Sequence, residues 1–182
     1  AFPDIYEIGM SNLAIQILYQ ILNNRIDISC ERIFSPWMDM EKLLRCKKMP
    51  ITTLESDIPL DKLDVLGFSI QYELSYTNIL NILNLSNIPL YSKDRDKTYP
   101  LIIGGGANAF NPEPIADFFD MFVMGDGEEV ILEIADTVIE WKREDKGKDE
   151  LFKRLSCIEG VYVPSFFDVA YNKDGTIKEI IP

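Results

Sequence analysis

Four short runs hold most of the residues able to do chemistry. They are Tyr6-Glu7-Ile8-Gly9-Met10-Ser11-Asn12, Ser69-Ile70-Gln71-Tyr72-Glu73-Leu74-Ser75, Gly104-Gly105-Gly106-Ala107-Asn108-Ala109-Phe110-Asn111 and Gly125-Asp126-Gly127-Glu128-Glu129. Phenols, carboxylates, amides and bare backbone dominate them. That set can approach a ligand closely and hydrogen-bond it. It is poorly suited to acid–base turnover, because the chain has no histidine. The usual general base near neutral pH and the commonest metal ligand are both missing. Cys30, Cys46 and Cys157 are dispersed, with no C-x-x-C pair. Zinc ribbons, dithiol redox centres and cysteine-rich iron–sulfur nests are therefore unsupported. The chemistry on offer is binding.

Each run has a plain alternative. Gly104-x-Gly106-x-x-Ala109 fits a loose dinucleotide pattern, with Asp126 further on. Such a pattern should open a helix whose N-terminus faces a pyrophosphate. Asn111-Pro112-Glu113-Pro114 interrupts it, and no G-K-[ST] follows. The carboxylates of Gly125 to Glu129 lack EF-hand spacing. At a helix start they are equally explained by the helix dipole. Tyr72, Glu73 and Tyr76 can be ligand contacts, or an exposed loop and a packed aromatic.

Composition narrows the class. The chain has 182 residues, 47% of them apolar, and a net charge of −12. A core of domain size is affordable. An acidic surface repels phosphate backbones and anionic lipid, so nucleic acid and membrane are not expected partners. Scattered cysteines suit a reduced, cytoplasmic protein. No signal peptide and no bilayer-spanning run is apparent. Ala1-Phe2-Pro3 reads as the tail of a strand, and Ile180-Ile181-Pro182 as an abrupt stop, so a longer parent chain is expected.

The four runs need elements to hold them. Ser11 and Asn12 can cap a helix from about Leu13 to Leu22, apolar enough all round to be well buried. Ile28 to Phe34 reads as a strand, Asp39 to Cys46 as a short helix and Ile51 to Leu54 as a small strand. Asp64 to Ile70 is the compact apolar run of a buried parallel strand. Ser75 caps a helix whose Tyr76, Ile79, Leu80 and Leu83 form one stripe. Leu101 to Ile103 is another strand, stopped by the glycine run. Glu113 to Phe119 is a short helix, Met121 to Met124 a strand, and Val130, Ile131, Ile134, Val138 and Trp141 one side of a long helix. The charged stretch from Glu140 to Lys153 reads as a solvated helix end, a break and a short helix. From Val161 the period is two, with Asn172-Lys173-Asp174-Gly175 as a hairpin turn. Alternation of strand and helix argues a parallel sheet with helices on both faces. The four runs then fall beyond the carboxyl ends of the strands, where ligands bind such sheets. A nucleotide or flavin domain of independent function satisfies this pattern too.

In order and spacing, these segments resemble the cobalamin-binding-like domain that precedes the radical-SAM core in a group of bacterial radical-SAM proteins. The resemblance runs through Phe2 to Leu13, Leu66 to Asn78, Gly104 to Gly106, Asn111 to Pro114 and Gly125 to Glu129. It implies a flavodoxin-like (Rossmann-like) three-layer α/β sandwich. The sheet would have about five parallel strands in the order 2-1-3-4-5, the first truncated, with a C-terminal β-hairpin appendage. Residues 1–143 would form the cobalamin-binding-like domain. Residues 144–182 would form a charged linker helix and hairpin leading to an absent core. In the methionine-synthase type of domain, D-x-H-x-x-G carries the histidine below cobalt; Asp4, Tyr6 and Gly9 align with it, and Tyr6 replaces the histidine. A phenol titrating near pH 10 is a poor axial ligand. Cobalamin, if held, would lack a histidine ligand. The resemblance assigns cofactor contacts to Tyr6, Gly9, Met10, Ser11, Asn12, Ser69, Gln71, Tyr72, Glu73, Gly104, Gly105, Gly106, Asn111, Gly125 and Glu128. The C-x-x-x-C-x-x-C of radical-SAM enzymes is absent here. S-adenosylmethionine and the 4Fe-4S cluster would belong to the core domain of the parent, the expected partner, and this chain would have no catalysis or metal of its own. The alternative implied is a cofactor-free relative that serves for docking or substrate gating.

Overall fold

A computed structural model describes all residues, 1–182. Three parallel strands make the centre: β1 (Val65–Ser69), β2 (Leu101–Gly105) and β3 (Met121–Val123). Val65 lies opposite Leu101, Ser69 opposite Gly105, and Ile103 opposite Met121. The fourth strand, β4 (Val161–Tyr162), pairs antiparallel with β3. The sheet order is β1-β2-β3-β4. A separate antiparallel ribbon joins β5 (Asp168–Tyr171) to β6 (Ile177–Ile181). The protein is thus a mixed α/β fold with a mostly parallel sheet and a detached hairpin.

Side chains alternate across a strand, so each face collects its own core. On one face Leu66, Phe68, Ile102 and Phe122 pack with Ile79, Ile82 and Leu83 of α4 (Tyr76–Leu85) and with Leu44 of α3 (Met38–Lys47). On the other, Leu101, Ile103, Met121 and Val123 meet Ile134 and Val138 of α5 (Gly127–Glu144) and Leu151, Phe152 and Leu155 of α6 (Lys148–Leu155). Helices therefore cover both faces. Residues 148–163 are built into this body. Their apolar residues lie under the sheet and β4 extends it, so the charged stretch around α6 is solvated on one side only.

Several expected elements take another form. The helix α2 (Leu13–Asn23) forms with Asn12 as its cap, Asn12 Oδ1 accepting from Ile15 N at 3.1 Å. It is not well buried: it rests against α5, and none of its residues is fully enclosed. The segment Ile28 to Phe34 is not a strand but a single bridge, Phe34 to Phe2. Ile51 to Leu54 reduces to one bridge between Thr52 and Pro59. Ser75 stands at the start of α4, yet its hydroxyl donates to Tyr72 O at 2.7 Å instead of capping the helix. Glu113–Phe118 is a 3-10 helix.

The amino ends of β2 and β3 are tied by a buried ion cluster. Asp120 accepts from Ile102 N at 2.7 Å, Ser92 Oγ at 2.5 Å, Arg95 at 3.1 Å and Lys148 at 3.0 Å. Arg95 also donates to the carbonyls of Pro89, Leu90 and Phe118. Both Arg95 and Asp120 side chains are fully enclosed. A buried charge persists only when paired and hydrogen-bonded this way.

Candidate functional site

The carboxyl ends of the parallel strands point toward one rim. The loop after β1 and the loop after β2 close on each other there. Ile70 N donates to Gly105 O at 2.6 Å, and Asn108 N donates to Ile70 O at 3.0 Å. Gly106 sits between them with φ +102°. A Cβ at Gly106 would stand 2.8 Å from Ile70 O and 3.1 Å from Gln71 Nε2. Only glycine fits that approach comfortably. The strand does not stop at Ile103 as the sequence suggests; Gly104 and Gly105 are its last two residues. Space that a side chain on Gly104 would need is filled by Phe122 and Ile70.

The amino-terminal segment joins the same rim. Ala1 donates to Gly67 O at 2.5 Å and Ser69 N donates to Ala1 O at 3.0 Å. On the other side Phe2 N donates to Ile33 O at 2.9 Å and Ser35 N to Asp4 O at 2.8 Å. Tyr72 OH donates to Asp4 Oδ2 at 2.7 Å, and Asn78 Nδ2 to Pro3 O at 2.9 Å. The bond to the Asp4 carboxylate, together with partial burial, holds the Tyr72 hydroxyl above its ordinary pKa. Tyr6 opens a one-turn helix, α1 (Tyr6–Gly9), and its ring meets Phe34 edge-on at 5.4 Å. A side chain at Gly9 would overlap the Phe34 ring. Thus α1 is pressed onto Phe34, and Asp4 bonds to Tyr72 on the neighbouring loop.

The remaining assigned residues are spread around this rim. Gln71 Nε2 donates to Ser69 Oγ at 2.8 Å. Met10 O accepts from Gln16 at 2.8 Å, and Ser11 Oγ donates to Ile8 O at 2.8 Å. Glu73 and Asn111 are exposed. Gly125 has φ +111° and no neighbour within 4 Å of its Cβ position. Glu128 lies exposed in the first turn of α5, and Asp126 makes no side-chain cap bond. The dinucleotide pattern does not open an α-helix: Gly106 leads into a 3-10 turn, Ala107–Phe110.

The structure therefore brings together Tyr6, Gly9, Ser69, Gln71, Tyr72 and Gly104 to Gly106, with Gly125 and Glu128 beyond β3. Sequence reasoning missed Asn78 as a rim-builder and did not foresee that Tyr76 and Asn108 pair with each other. Asn108 Nδ2 donates to Tyr76 OH at 2.6 Å. Burial, opposed by that bond, raises the Tyr76 hydroxyl pKa. Nothing local in the sequence marks Asn78, whose partner is 75 residues away. No three His, Cys, Asp or Glu side chains converge to hold a metal. A cavity of about 230 Å³, lined among others by Leu63, Tyr99, Trp141 and Lys148, lies at the opposite, amino end of β1 and β2 and contains no assigned residue.

Fold and rim define an α/β module whose candidate residues gather around the carboxyl ends of its parallel strands. The chain belongs to the family described as "Radical SAM proteins, N-terminal", which matches residues 14–164. It is also similar to the uncharacterized protein MJ0966 of Methanocaldococcus jannaschii. The two are 25% identical over 185 residues, covering 94% of this chain and 35% of that relative. The chain thus spans about a third of the relative's length. No solved structure matches the chain. No helix is long and apolar enough to cross a membrane.

Proposed function

We propose that this chain is the amino-terminal, cobalamin-binding-like module of a radical-SAM protein and that it works without a cofactor, by docking onto the catalytic remainder of the parent. The flavodoxin-like order 2-1-3-4-5 belongs to this reading. In it the Phe34 segment, Ala1–Phe2, β1, β2 and β3 stand side by side, supported by the backbone bonds of Phe2 to Ile33 and of Ala1 to Gly67 and Ser69. The radical-SAM core, with its S-adenosylmethionine and 4Fe-4S cluster, is the partner. A cytoplasmic setting agrees with three free cysteines.

One observation carries the cofactor-free reading: the rim is closed on itself. Ser69, Tyr72, Tyr76 and Asn108 spend their polar groups on neighbours within the rim. The bare faces of Gly104 and Gly106 are occupied by Ile70, Phe122 and Gln71. Tyr6 leans on Phe34. These residues do not fit a corrin and its nucleotide tail, which need a cradle left free by the protein. Binding of cobalamin without a histidine is the competing reading, favoured by the spacing of Asp4, Tyr6 and Gly9.

Titration with hydroxocobalamin separates the two. The visible spectrum of the added cobalamin should stay that of the free compound, and gel filtration should separate it from the protein. A one-to-one complex with a changed spectrum overturns the cofactor-free reading. Tyr6→Ala sharpens the test. It should leave a void that creates affinity if Tyr6 fills the cofactor's space. It should weaken binding if Tyr6 is the floor under a bound corrin.

A further inference from the structure

Six large apolar side chains stand exposed on three successive segments at the carboxyl rim: Tyr6 and Ile8 in α1 with Leu13 at the start of α2, Tyr72 and Leu74 after β1, and Phe110 after β2. Leu74 is 84% exposed and Phe110 67%. The segments are not independent, since Tyr72 reaches Asp4 and Asn108 reaches Tyr76. An apolar surface grouped at one end of a fold marks a contact with another molecule.

The charges around it have one sign. Residues 4–12, 69–75, 104–111 and 125–129 contain Asp4, Glu7, Glu73, Asp126, Glu128 and Glu129, and neither lysine nor arginine. Arg32 approaches Met10 Sδ at 3.4 Å, but its guanidinium is paired with Glu55 at 2.7 Å. The rim is an apolar and aromatic surface set in an anionic field.

We infer that the occupant of this rim is a cationic face of the remainder of the parent chain, rich in lysine or arginine and apolar at its centre. The inference rests on the docking reading above and adds the chemistry of the partner. Three arguments select it. A second copy of this chain meeting rim to rim would set six carboxylates against six, since a two-fold interface pairs each patch with itself. A phosphate-bearing partner meets the same repulsion. The relative extends over about two thirds of its length beyond the region matched here, which is ample chain for a complementary domain. Complementary potential is how such contacts gain speed and exclude wrong partners, and aromatic faces add attraction for cations.

The test uses the full-length parent protein and hydroxyl-radical footprinting of Leu74, Tyr72 and Phe110. Two variants accompany it. One carries Glu7→Lys, Glu73→Lys and Glu128→Lys; the other carries Leu74→Asp and Phe110→Asp. All five positions are exposed, and melting temperature checks that each variant folds. In the parent at low salt the three side chains should be oxidised slowly. Oxidation should rise at least five-fold in the charge-reversal variant, and also in the parent at high salt, where surface attraction is screened. Slow oxidation that persists in the charge-reversal variant, while Leu74→Asp with Phe110→Asp releases it at Tyr72, would keep the docking reading and overturn the cationic partner. Oxidation in the parent as fast as in urea at every salt concentration would overturn docking itself.

Discussion

Gly105 and Gly106 are neighbours in sequence, yet alanine should be severe at one position and nearly neutral at the other. Gly106 holds φ +102° and ψ −178°, a conformation that costs a side-chain-bearing residue about 1–3 kcal/mol. Its Cβ would sit 2.8 Å from Ile70 O, a backbone atom that cannot swing away. Relief moves the Ile70 peptide and weakens two bonds, Ile70 N to Gly105 O and Asn108 N to Ile70 O. Each is worth about 1 kcal/mol net. Gly106→Ala should therefore destabilise by about 3–4 kcal/mol. With a urea slope of about 2 kcal/mol per molar, the unfolding midpoint should fall by about 1.5–2 M. The melting temperature should fall by about 10 °C. At Gly105 the Cβ position meets only Val123, at 4.0 Å, and the backbone is ordinary strand. Gly105→Ala should change stability by no more than about 0.5 kcal/mol. Urea titration followed by circular dichroism measures both. Equal shifts for the two variants would refute the claim that the rim closes through Gly106.

Other outcomes follow from the same contacts. Asp120→Asn leaves the enclosed Arg95 uncompensated and should cost about 3–5 kcal/mol, with Arg95→Met in the same chain recovering part of it; denaturant midpoints of the single and double variants decide this. Glu144, held by Arg154 and then Lys146, has its pKa lowered to about 2. The lowered folded-state value makes its contribution complete above the unfolded carboxylate range and lost as pH falls toward 2, so Glu144→Gln should flatten the melting temperature between pH 5 and 2; an unchanged slope would discard the contact. The Tyr72 hydroxyl, raised by its bond to Asp4, should ionise at lower pH in Asp4→Asn, as read by ultraviolet titration against a Tyr72→Phe reference.

The legible parts of the fold were those set by local pattern. The stripe of Ile79 and Leu83, the run Val65 to Ser69 and the periodic side of α5 each carry their own signal. Ile28 to Phe34 has strand composition but forms no ladder beyond the single bridge of Phe34 to Phe2, and a ladder is a property of two segments. The glycine run looked like a strand stop because sequence does not show that Phe122 and Ile70 fill the space above Gly104. Val161 and Tyr162 alternate as expected, but a period of two does not say which sheet a strand joins. Around α6 the charges masked Leu151, Phe152 and Leu155, which are enclosed because one side of a short helix is enough. At the rim, residue types pointed to the loops after β1 and β2, which backbone bonds join. The bond of Asp4 to Tyr72, across 68 positions, has no local signature.

The ribbon of β5 and β6 has a consequence for handling the chain. Every residue of β6 is exposed, and Ile177, Ile180 and Ile181 are among the exposed large apolar residues. A lone two-stranded ribbon is marginal in water, and its free edge is a template for another strand. What opposes edge-to-edge growth is mutual repulsion between chains of net charge −12. That repulsion reaches about 10 Å in 0.1 M salt and about 3 Å in 1 M. Self-association should therefore accelerate with ionic strength and with acid that neutralises the carboxylates. It should begin at this ribbon, so that a proline at Lys178 or Glu179 would delay the onset of light scattering without altering the melting of the main sheet.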